Sequence, residues 1–241
     1  MKENYVKIIE NNLESLISNP NMEIKDYSVR MEYFFGGYVD PETDEPLRSS
    51  LIKNFKSIDD AITCIDEILE NPPKLECPDD DELLEIYEKQ TLGGLSLCAN
   101  YIDKLLDGTS LSRLLIGLGI IDKDNIEIDD GILISKEKIN THNATIQLKL
   151  NSIIEKGKTI RDYIVSIYAG SYDLAGPVFE NLSDATNYLW DYLSHITYYS
   201  EDEDELEMVD EANLFVNIPF GDGPMDVGFE TLFSYNMYRD E

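Results

Sequence analysis

Between Lys2 and Ser18 the apolar residues Tyr5, Ile8, Ile9, Leu13, Leu16 and Ile17 fall on one side of a 3.6-residue period, which predicts an amphipathic helix. The pattern stops at Asn19-Pro20, because proline has no N–H with which to continue a helical ladder. From Tyr27 to Val39 β-branched and aromatic residues dominate. A turn-rich DPETDEP loop and a second extended run from Leu47 to Phe55 follow, and together they predict a hairpin. At Ser57 the period changes again. Ser57 is placed to cap a helix whose apolar face is Ile58, Ala61, Ile62, Ile65 and Leu69, and Pro72-Pro73 ends it.

The same order returns after Gly157. The segment DYIVSIYAGSYD parallels DYSVRMEYFFGGYVD, and Phe55, Asp60, Ala61 and Leu69 recur as Phe179, Asp184, Ala185 and Leu193, with Asn181 as the second cap. Two β-hairpin-plus-helix units follow from this, compatible with an internal repeat. Strand-turn-capped-helix units converge for physical reasons, so the correspondence alone does not establish duplication. Between the units, Asp79–Lys89, Leu92–Leu106 and Ser110–Leu118 read as helices, and Ile126 and Ile128 are expected to face Ile132 and Ile134 across an Asp129-Asp130-Gly131 turn. Strands at Leu214–Ile218 and Val227–Tyr235 close the chain around Gly221-Asp222-Gly223-Pro224. The expected class is α+β, with two hairpin-helix units joined by a helical middle segment carrying a small hairpin. The expected divisions are 1–90, 91–156 and 157–241.

Charge changes the picture more than any motif. The chain has 49 acids against 19 bases, a formal charge of −30, while 42% hydrophobic and 10% aromatic content is that of a folded protein. Such a field opposes nucleic acid and anionic membrane and attracts basic proteins, so no direct nucleic-acid or membrane partner is expected. Arg161 and Arg239 bracket 77 residues with 16 acids and no Lys or Arg. Three cysteines in unrelated contexts, and no apolar leader core at the N-terminus, predict a cytoplasmic chain with reduced thiols.

Two acidic stretches are candidates for a partner-binding surface. On a helix beginning near Asp79, the acids Asp79, Asp80, Asp81, Glu82, Glu85 and Glu88 include a set at three- and four-residue spacing that shares one face. The second stretch is Glu201, Asp202, Glu203, Asp204, Glu205, Glu207, Asp210 and Glu211, where Tyr198 and Tyr199 stand ready to act as aromatic anchors.

Catalytic and cofactor signatures are missing from the sequence. Two histidines, His142 and His195, cannot build a histidine metal cluster. No C-x-x-C pair, phosphate-binding loop or dinucleotide fingerprint is present. Asp122-Lys123-Asp124 starts like a calcium loop but has Glu127 where glycine is required, so no metal or cofactor is expected. The composition and charge layout resemble those of DNA-mimic inhibitors such as antirestriction and anti-CRISPR proteins. That resemblance implies a basic nucleic-acid-processing enzyme as partner and no catalysis. An immunity protein or antitoxin neutralising a basic toxin fits the same charge, and an enzyme with a carboxylate or tyrosine site is the third reading.

Overall fold

The computed structural model describes residues 2–39, 46–77, 81–122, 125–169, 172–174, 176–199, 207–220 and 227–237. In chain order the helices are α1 (Lys2–Ile17), α2 (Ile58–Glu70), α3 (Asp81–Glu88), α4 (Lys136–Glu155) and α5 (Leu182–Leu193). The strands are β1 (Met22–Val39), β2 (Pro46–Phe55), β3 (Gln90–Asp103), β4 (Thr109–Asp122), β5 (Asn125–Asp129), β6 (Asp162–Ala169), β7 (Tyr172–Leu174), β8 (Val178–Phe179), β9 (Thr197–Tyr199), β10 (Glu207–Pro219) and β11 (Val227–Asn236). The fold is α+β, and the strand pairs with a defined register are antiparallel.

The chain separates into two compact units built from discontinuous stretches. One comprises Met1–Ser18, Ile24–Tyr101 and Leu114–Gly131, and the other Asn19–Glu23, Ile102–Arg113 and Ile132–Glu241. In the first unit the strands run in the order β2-β1-β3-β4, with β5 on β4. Its core holds Ile9 and Leu16 of α1, Val29 and Met31 of β1, Ala61 and Ile65 of α2, Leu97 of β3 and Leu115 of β4, all fully buried. In the second unit β7 and β8 pair with β6, β6 with β10, and β10 with β11. Val165, Ile167, Ala185, Leu189, Leu214 and Val216 form its core.

The predicted caps form. Ser57 has extended backbone angles, and its side chain accepts from the Asp59 N–H; Asn181 does the same for Asp184. Ala61 and Ala185 each donate a backbone N–H to the carbonyl of their cap residue at 3.3 Å, and both are fully buried. A larger side chain at either place has nowhere to go. Ala61→Leu and Ala185→Leu are each expected to cost about 1–3 kcal/mol, read as a lowered urea midpoint.

The middle of the chain departs from expectation. Leu92–Leu106 and Ser110–Leu118 are not helices; they lie in strands β3 and β4. In β3 the buried residues Leu95, Leu97, Ala99 and Tyr101 alternate with less buried ones, a period of two masked by leucine-rich composition. In β4, residues 111–116 are buried without a break, and the apolar run that begins at Leu114 does not distinguish a strand from a buried helix. The small hairpin also pairs differently: Ile126 and Ile128 face Ile120 and Leu118 of β4, and Ile132 instead bridges His195. Gly131 is still a turn residue, with φ of +70° and its N–H bonded to Asp129 Oδ1 at 2.9 Å. The 20-residue helix α4 occupies the stretch just after it.

Candidate functional site

Of the acidic positions singled out in the sequence, Asp79, Asp80, Glu201, Asp202, Glu203, Asp204 and Glu205 lie outside the described residues. Asp81 and Glu82 form the first turn of α3. Glu85 and Glu88 are exposed on the same helix, where Glu85 meets Lys89 at 3.0 Å. The hydrogen bond from Lys89 holds the Glu85 carboxyl below its ordinary range. The Lys89 ammonium also sits over the Tyr38 ring, 5.1 Å from its centre. The carboxylate ridge therefore carries a base at its end.

The second stretch is built into a sheet. Tyr198 and Tyr199 form β9, which pairs with Leu111 and Ser112 of β4 on one side and with Glu207 and Met208 of β10 on the other. Tyr199 is only 6% exposed, so it belongs to the interior rather than to an open aromatic anchor. Asp210 and Glu211 are half-buried in β10. Glu211 accepts from Asn213 at 2.8 Å and from Asn236 at 3.4 Å.

A further set of carboxylates belongs to the acid-rich span from Asp59 to Glu88, which holds 12 acids against Lys74 alone. Asp59, Asp60, Glu67 and Glu70 are exposed on α2, opposite its buried face of Ala61, Cys64, Ile65 and Ile68. None of the four is in an ion pair among the described residues. On neighbouring α1, tied to α2 by the Tyr5 hydroxyl donating to Asp66, Glu10 and Glu14 are also exposed. At 1.5 Å rise per residue the α2 acids span roughly 16 Å, close to the spacing of phosphates along about five nucleotides of one strand.

The second unit contains a buried polar network. Asp103, fully buried, accepts from Tyr188 Oη at 2.7 Å, from Tyr192 Oη and from the Leu105 N–H at 2.7 Å. Arg113, also fully buried, donates to the Asp191 carbonyl, and Asn19 Nδ2 donates to the Asp191 carboxylate at 2.6 Å. Burial raises the Asp191 carboxyl, against the opposing pull of Arg113. Burial, and then the Arg113 charge, lowers the His195 imidazole to about 4. His195 Nδ1 lies 2.9 Å from Ser194 Oγ. Asp103 and Arg113 are both fully buried, and the network ties β3 and β4 to α5.

Among the described residues no group of three or more His, Cys, Asp or Glu side chains is placed to hold a metal ion, and no helix is long and apolar enough to cross a membrane. Comparison with known protein families, with curated proteins and with solved structures finds no match.

Proposed function

We propose that the chain is an acidic inhibitor of the DNA-mimic kind, which occupies the nucleic-acid site of a basic enzyme in the cytoplasm. The observation that carries this reading is the charge: −30 overall, with 16 acids and no Lys or Arg across the 77 residues between Arg161 and Arg239. Self-repulsion of that size costs stability, and a partner of opposite charge gives it a use. In the first unit the exposed acids of α1 and α2 set carboxylates on rigid helices, where position as well as charge can be matched. A basic partner should associate quickly at low ionic strength. Its on-rate should fall steeply as salt shortens the Debye length to about 10 Å at 0.1 M. Stopped-flow association across a salt series checks this, and a rate indifferent to salt would point to an apolar interface.

We also infer that the two halves derive from one ancestral unit: α1, β1, β2, α2, β3 and β4 correspond to α4, β6, β7 with β8, α5, β10 and β11, while α3, β5 and β9 stand outside the correspondence. Matched contacts support this. Tyr27 faces Phe55 as Tyr163 faces Phe179, and Asn100 donates to Asp26 as Asn217 donates to Asp162. Asn12 reaches the Leu115 carbonyl at 2.8 Å as Lys149 reaches that of Leu232 at 2.9 Å. The sequence offset from Tyr5 to His142 equals that from Asn12 to Lys149, and the offset from Asp66 to Trp190 equals that from Ala61 to Ala185. These contacts bind distant parts of each half, which local propensity does not dictate. Separate, stable expression of a single rebuilt half, with its own α-β-β-α-β-β order, tests the inference; failure of every such half to fold would count against it.

A further inference from the structure

Where the first half joins its two helices by Tyr5 and Asp66, the second has an aromatic cluster. His142 of α4 stacks on Trp190 of α5, with ring centres 5.9 Å apart and planes at 24°, and meets the edge of Phe233 of β11 at 5.0 Å. Trp190 and Phe233 are 5.1 Å apart and T-shaped, and Trp190 Nε1 donates to Asn143 Oδ1 at 2.8 Å, which fixes the indole. His142 and Phe233 open onto a cavity of about 850 Å³ between the start of α4 and the end of β11. That is within the size range of small-ligand sites.

The lining combines several chemistries. Leu133, Met237 and Phe233 supply apolar surface, while Thr141, Ser234 and Tyr235 supply hydroxyls. One acid, Glu137, and one base, Lys138, stand side by side on the first turns of α4, and both are exposed. A simple anion would meet Glu137 and the field of the whole chain, and a simple cation would meet Lys138. A molecule with a flat apolar body and both charges matches the apolar lining, Glu137 and Lys138 together. We propose that this cavity binds an aromatic zwitterion of the class of an aromatic amino acid or a short peptide bearing one. Its ring would lie against Phe233 and His142, its carboxylate near Lys138 and its ammonium near Glu137. The proposal is independent of the partner reading, since it concerns a different set of residues and a small molecule.

The chain's single tryptophan makes the test direct, because Trp190 packs on two rings of the cavity wall. Trp190 emission would be titrated with L-phenylalanine, with phenylpropionate and with phenethylamine. Phenylalanine should bind saturably and tightest, each truncated probe being weaker by about tenfold. Lys138→Gln should remove the advantage of phenylalanine over phenethylamine, and Glu137→Gln its advantage over phenylpropionate. Both substitutions lie at exposed helix positions and leave the core intact. Thr141→Phe, which fills the cavity from another exposed position, should abolish the response. No saturable response to phenylalanine, or equal affinity for all three probes in both charge variants, would overturn the proposal.

Discussion

Asp103→Ala is expected to be among the most destabilising single substitutions in the chain, at about 3–5 kcal/mol, with a matching fall in the urea midpoint. The carboxylate is fully buried and accepts from two tyrosine hydroxyls and the Leu105 N–H. Its removal takes the acceptor from three donors at about 1–3 kcal/mol for each left unsatisfied, and the Tyr188–Tyr192 hydroxyl contact at 3.4 Å together with partial relaxation returns some of that sum. Asp103→Asn, which keeps one acceptor oxygen, should cost less. Tyr188→Phe with Tyr192→Phe should fall between the two, because it leaves a buried carboxylate short of donors. Equal midpoints for Asp103→Ala and the parent would mean that the network contributes nothing.

The same unit should respond to acid through His195. Its imidazole is depressed from 6.5 to about 4 in the folded chain, so the unfolded chain takes up the proton first. Stability from this group is therefore present above pH 6.5 and is lost as pH falls from 6.5 towards 4, by about 3 kcal/mol at the lower end. Asp191 acts in the opposite sense. Its raised carboxyl favours the protonated folded form, so it opposes folding as pH rises through its ordinary range near 3.8 and eases on acidification. Relief of self-repulsion on acidification also opposes the histidine effect, so the contrast with His195→Gln is the proper readout. The gap between parent and variant should narrow by about 3 kcal/mol from pH 7 to pH 4.

The second large effect is expected in binding. Asp59→Asn, Asp60→Asn, Glu67→Gln and Glu70→Gln together remove four charges from the exposed face of α2 and leave its buried face unchanged. Asp59 and Asp60 lie in the first helical turn, where each favours the helix dipole by about 0.3–1 kcal/mol. Reduced self-repulsion offsets that loss, so the urea midpoint should stay close to the parent's. Association with a basic partner should slow by roughly tenfold or more, because steering accounts for about 10- to 1,000-fold in rate for strongly charged pairs. A faster dissociation rate as well would mean that some of these carboxylates are desolvated in the complex.

Residues that act locally were readable from the sequence. Ser57 and Asn181 announce their caps, Pro20 and Pro72 stop helices, and the aromatic run before Val39 makes a strand. Residues whose state depends on distant partners were not. Leu114, Leu115 and Ile116 are compatible with helix or strand until the neighbours that bury both faces are known. In α4 the buried stripe of Ile146, Leu150 and Ile153 is diluted by exposed Leu148 and Ile154, so its amphipathic signal is weak. Acidic positions follow a geometry that runs do not show. Acids adjacent in a sequence, such as Asp210 and Glu211 of β10, need not share a face, because strand residues alternate. Asp59, Asp60, Glu67 and Glu70, spread over three helical turns, gather on one face without forming a run.

Capture on the immobilised full-length chain from a lysate of its source cell, in parallel with the four-carboxylate α2 variant, tests partner binding most directly. The parent should retain a basic nucleic-acid-binding protein that duplex DNA displaces in a concentration-dependent way, and the variant should retain much less of it. Retention of the same protein on both chains, or a complex that excess DNA leaves intact, would contradict occupation of a nucleic-acid site by this acidic surface.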